Sequence, residues 1–107
     1  VEQHATEARD IRHLDVYASP VSRTLLGDLL EPLDALGPKR AAVAVRTLLA
    51  YLRNERSPVH AGRELTLHPN AVRYRIRGIR EVLQLDLDDP EVRFAVELAC
   101  RVRVLGA

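Results

Sequence analysis

The densest chemistry in this sequence is a run of six arginines, Arg56, Arg63, Arg73, Arg75, Arg77 and Arg80, set against a single acid, Glu64. A guanidinium is a permanently charged fork of donors that pairs bidentately with phosphate oxygens or with O6 and N7 of guanine. A block of that density is a candidate anion-binding surface. The net charge of +1 conceals it, because Glu81, Asp86, Asp88, Asp89 and Glu91 follow with no base among them. The competing reading of such a block is a solvated helix face, and charge count alone does not separate the two.

Other reactive residue types offer less. The run "DLDDPE" resembles a calcium loop only superficially, lacking the glycine and distal glutamate such a loop needs. Asp88 or Asp89 reads instead as the N-cap of a helix opening at Pro90. His60 and His68 straddle a turn with no cysteine or HExxH-type partner. Cys100 is the lone cysteine, which excludes an internal disulfide and a multi-cysteine metal site and fits a reducing compartment. In its apolar surroundings it reads as a small buried hydrophobe. The expectation is therefore a protein that is not an enzyme, with no catalytic residues, no metal and no cofactor.

The scale of the chain agrees. At 107 residues, 47% of them apolar and 29% charged, it is long enough for one domain with a real core. Aromatics are scarce, so Leu, Val, Ile and Ala must build that core. No apolar run approaches the roughly 18 residues of a membrane span, and the start lacks a signal-peptide core, so a cytoplasmic location is expected. The chain has no Met and begins at Val1, which favours a fragment of a longer protein.

The arginines need elements to position them. Residues 1–20 form a poorly defined N-terminal segment, read as the end of an upstream domain, a helix end or a loop. From residue 21 to 107 an all-α domain is expected. Leu25, Leu26, Leu29, Leu30, Leu33 and Leu36 share one side of a helical wheel, with Ser22 as N-cap and Gly37-Pro38 as stop. Pro32 must kink or split that helix, because it lacks the N–H for the ladder. A second helix follows from Pro38, with Val45, Leu48, Leu49 and Leu52 in one stripe, and the two make an α-hairpin. Ser57-Pro58 starts a two-turn helix that ends near Leu65. Pro69 then starts another, with His68 or Thr66 to cap it. A last helix opens at Asp89-Pro90, with Glu91 in its first turn. Apolar residues cover most of its circumference, so it is either deeply buried or shared with a partner.

The segment "VRYRI" within the arginine block alternates like a strand. Widening the window removes the ambiguity, because Val72, Ile76, Ile79 and Leu83 recur at helical spacing. A short helix, a tight turn and a longer basic helix make a helix-turn-helix pattern. Ala61 and Gly62 are small enough for the helix crossing, while Leu65 and Leu67 turn inward. Relative to the buried stripe, Asn70, Arg73 and Arg77 lie at about 100–160° and Tyr74 at about 200°. They form one outward strip on the helix that would enter the major groove. Arg73 and Arg77 suit guanine, Asn70 suits adenine or phosphate, and Tyr74 suits a phosphate or thymine methyl. Ser57, His60, Arg63, His68 and Arg80 are expected on the phosphate backbone. Arg75 and Arg80 flank the buried stripe and are the weaker candidates.

These residues carry a resemblance. The stretches "HPNAVRYRIRGI" and "LDLDDPEVRFAVELA", within Leu48 to about Leu105, resemble the C-terminal helix-turn-helix domain of PucR-family regulators. That family includes purine-catabolism and sugar-diacid regulators. The resemblance implies a DNA-binding module of a longer bacterial transcription regulator, with any small-molecule effector bound by an upstream domain. One departure is "SPVHAGREL", where relatives carry a longer alanine-rich helix; Gly62 lowers helix stability by roughly 1 kcal/mol relative to Ala.

Double-stranded DNA and a second copy of the chain are the expected partners, and no membrane. One helix-turn-helix buries limited area, so a homodimer on half-sites about one DNA turn apart is expected. Its contact is expected from the final helix or the Leu25–Leu36 hairpin. The rival reading is a non-enzymatic, all-helical protein–protein interaction module with a basic face. RNA binding lacks the exposed aromatic platforms that stacking uses.

Overall fold

A computed structural model describes residues 29–106. The expected segment 1–20 and the start of the hairpin, with Ser22, Leu25 and Leu26, lie outside the described residues. Among the described residues every regular element is helical. A helix ending at Leu30 passes into a 3-10 helix, Glu31–Leu36. Four α-helices follow: α1 (Pro38–Arg53), α2 (Pro58–Leu65), α3 (Pro69–Leu83) and α4 (Pro90–Gly106). The all-α fold with a helix-turn-helix and a closing C-terminal helix is the one expected.

Pro32 acts where expected. It falls in the first turn of the 3-10 helix, where its missing N–H costs no ladder bond, and the α-helical ladder stops just before it. Gly37 then takes φ +91°, a conformation L side chains rarely adopt, and its N–H donates to the Asp34 carbonyl at 3.1 Å. Pro38 follows in the first turn of α1, so the chain reverses at Gly37-Pro38.

Helix α1 is the central element, in contact with α2, α3, α4 and the 3-10 helix. It buries Ala41, Ala44 and Ala50 as well as Val45, Leu48, Leu49 and Leu52, far more than the single stripe read from the sequence. The alanines permit close approach on several sides. Thr47, its one buried polar residue, donates from Oγ1 to the Val43 carbonyl at 2.8 Å, so burial leaves no unmet hydrogen bond. Around it pack Leu30, Leu33, Leu87, Val96, Ala99 and Cys100. Each fully buried Leu or Val removes enough apolar surface from water to contribute about 1.5–3 kcal/mol.

Helix α4 resolves its two expected fates by side. Val96, Ala99 and Cys100 enter the core, whereas Phe94, Val104 and Leu105 are exposed. Arg103 donates from both terminal nitrogens to the Asp34 carboxylate, at 3.0 and 3.3 Å, and ties the end of α4 to the 3-10 helix.

Candidate nucleic-acid interface

The helix-turn-helix is assembled by local hydrogen bonds that the residue types dictate. Ser57 Oγ accepts from the His60 N–H at 3.2 Å and caps α2, with Pro58 in the first turn. Helix α2 ends at Thr66, which adopts the left-handed conformation, and the Leu67 N–H donates back to the Gly62 carbonyl at 2.8 Å. Thr66 therefore terminates the first helix, and His68 is the residue that caps the second. Its Nδ1 accepts from the Asn70 N–H at 3.0 Å. In its neutral form the ring then carries its proton on Nε2, a donor suited to a phosphate oxygen.

Small residues sit at the crossing, as expected. Ala61 is fully buried, and at Gly62 a β-carbon would meet the Leu67 carbonyl oxygen at 2.5 Å. Gly62 is thus a requirement of the turn rather than a weakness of the helix. The helix-propensity cost of glycine relative to alanine is therefore outweighed here by the close approach of the Leu67 carbonyl.

Helix α3 buries Val72, Ile76, Ile79 and Leu83, the stripe read from its period. The opposite side presents Asn70, Arg73, Tyr74 and Arg77 to solvent, with Tyr74 75% exposed. Arg73 and Asn70 are joined: Arg73 Nη1 donates to Asn70 Oδ1 at 2.7 Å. Their roles are therefore coupled. One lone pair of the Asn70 carbonyl orients the guanidinium, leaving Nδ2 to donate.

The backbone candidates divide. Arg63 and His60 are exposed on α2. Arg80 lies 3.7 Å from Asp88, which Arg56 also reaches at 3.3 Å, so two of the six arginines lean on the acidic block that follows them. Glu64, the one acid of the basic block, turns to Arg53 and Asn54 instead. Of the six arginines of the block, Arg63, Arg73, Arg75 and Arg77 face outward without a described carboxylate. Asp89 Oδ1 accepts from the Glu91 N–H at 2.9 Å, the cap expected for α4. Among the described residues no cluster of His, Cys, Asp or Glu is arranged to hold a metal ion, and no helix is long and apolar enough to cross a membrane.

Residues 44–102 match the family model of the PucR C-terminal helix-turn-helix domain. The chain belongs to this family. The match runs from within α1 to within α4 and so takes in the whole helix-turn-helix. Membership supports DNA-binding transcription regulation as the role of the domain. The chain is also 37% identical over 83 residues to a Thermomonospora curvata protein described as "Uncharacterized protein in pkwA 5'region". That alignment takes in 77% of this chain and 43% of the relative, so the chain spans less than half of the protein it resembles. No solved structure matches it.

Proposed function

We propose that this PucR-type domain binds double-stranded DNA sequence-specifically, with α3 in the major groove. The observation that carries this reading is the coupled pair Asn70–Arg73 on the outward face of α3, beside Arg77 and the exposed Tyr74. A guanidinium oriented at the first turns of a recognition helix is pre-set for the O6 and N7 of guanine. Ser57 and His60 lie at the start of α2, Arg63 in its last turn and His68 in the turn that follows, where they meet phosphates and set the register. Arg80 joins them only by leaving Asp88.

The domain acts in the cytoplasm as a non-enzymatic reader, and any effector binds elsewhere in a longer protein. It acts as a homodimer on two half-sites. The exposed apolar side chains of α4, Phe94, Val104 and Leu105, support a contact there. Selection of bound duplexes from a random pool tests the reading. The expected result is an enriched motif repeated about one helical turn apart. Failure to retain duplex DNA of any sequence at low salt would overturn it.

A further inference from the structure

A concavity of about 550 Å³ opens between the first half of α1 and the flank of α3. Its rim carries Lys39 and Arg40 from α1 and Tyr74, Arg75 and Arg77 from α3, with Glu81 the only acid among the described lining residues. Val43 and Val82 line the interior, and Gly78 leaves the α3 side open, with nothing within 4 Å of where its β-carbon would sit. None of Lys39, Arg40 and Arg75 forms an ion pair with a described carboxylate. Low-dielectric walls beneath charges of one sign concentrate their field, so this cleft attracts an anion more strongly than the same cations would on a flat surface.

Tyr74 and Arg77 belong both to this rim and to the outward strip of α3. Lys39 and Arg40 thus share one cleft with two residues of the strip on which a duplex would sit. We infer that Lys39, Arg40 and Arg75 form a second phosphate-binding rim, which holds the sugar-phosphate strand bordering the groove that α3 enters. This rests on the DNA-binding reading above and adds a site from α1, outside the helix-turn-helix. An acidic peptide helix is the competing occupant, since apolar residues line the cleft. The two residues shared with the DNA-facing strip favour the phosphodiester backbone.

The test is the salt dependence of duplex binding by the full chain, followed by fluorescence anisotropy on a selected site and on random duplex. Each phosphate contact contributes about 0.9 to the slope of log affinity against log salt. The double variant Lys39→Gln/Arg40→Gln should lower that slope by about 2, and Arg75→Gln by about 1, with equal loss on both duplexes. Lys39, Arg40 and Arg75 are exposed, so circular dichroism should show the fold retained. Arg46→Gln, exposed on α1 and outside the cleft lining, controls for net charge and should leave the slope unchanged. An unchanged slope in the rim variants, with wild type still binding DNA, overturns this inference and leaves the α3 reading standing. So does an equal fall in Arg46→Gln. The inference also fails if a Glu-rich amphipathic peptide binds wild type, loses affinity in the rim variants and leaves their DNA slope intact. Wild type that retains no duplex overturns both readings.

Discussion

A β-carbon on Gly62 would lie 2.5 Å from the carbonyl oxygen of Leu67, inside any contact real side chains make. The same carbonyl belongs to the turn that aims α3, and Leu67 donates its own N–H to the Gly62 carbonyl. Helix propensity alone favours alanine at this position by about 1 kcal/mol. Overlap with backbone reverses that, because a main-chain carbonyl cannot rotate away as a side-chain tip can. Gly62→Ala should destabilise the domain by about 1–3 kcal/mol, measured by urea unfolding. A variant as stable as wild type would show that the turn relaxes freely.

The Asn70–Arg73 hydrogen bond predicts a non-additive pair. Arg73→Ala should cost about 1–3 kcal/mol on a selected site and erase the preference for one base, with little change on random DNA. Asn70→Ala should weaken the same base position, since it releases the guanidinium. The double variant should lose less than the sum of the two. Anisotropy titrations on matched and substituted duplexes measure all three. Equal losses on selected and random DNA for Arg73→Ala would remove it as a base reader.

Glu64 bridges α1 and α2. It accepts from Arg53 Nε at 3.0 Å and from Asn54 Nδ2 at 3.0 Å, and Arg53 reaches its other oxygen as well. The hydrogen bond from Arg53 holds its carboxyl below the ordinary value, with Asn54 adding to the effect against partial desolvation. A depressed carboxyl stabilises the fold above its unfolded pKa, and that stability is lost as pH falls through the lower folded value. The pair is partly solvated, so its worth is small. Glu64→Gln should cost about 0.5–1 kcal/mol near neutral pH, with the difference closing in acid. Urea midpoints at several pH values check this.

Cys100 has the opposite dependence. Burial pushes its thiol up to about 12. The native state therefore holds a proton that the unfolded chain releases from about pH 9 upward. Stability from this group is complete below that point and falls by about 1.4 kcal/mol for each further pH unit until the folded value is reached. Cys100→Ala should flatten the alkaline limb of a stability profile while costing packing at neutral pH. Thiol reagents should label wild type only on unfolding.

Ser57→Ala removes the acceptor for the His60 N–H. It should cost about 0.5–2 kcal/mol and weaken binding to every duplex alike, because α2 positions the motif without reading bases. Thermal unfolding and random-duplex titration measure the two effects separately.

Much of this fold follows from interactions spanning a few residues, and those were legible in the sequence. The spacing of Val72, Ile76, Ile79 and Leu83 settles α3 against its strand-like letters, because the wider window contains helical period and little else. Ser57-Pro58, His68-Pro69 and Asp89-Pro90 mark helix starts through capping oxygens or nitrogens and ring constraints that need no distant partner. Pro32 and Gly37-Pro38 mark the break before α1 for the same local reasons.

The sequence by itself thus determined the helices, the inward stripe of α3 and the strip of Asn70, Arg73, Tyr74 and Arg77, but it left two caps open and read only part of the buried face of α1. The tertiary structure decided which arginines face outward without a carboxylate. It sets Asp88 beside Arg56 and Arg80, although the acidic block follows the basic one along the chain. It also made Gly62 obligatory and brought Lys39 and Arg40 to the same rim as Arg75. Period and capping depend on neighbours within about four residues. Ion pairing and the shape of a cleft depend on how helices cross, which the pattern along one helix does not specify.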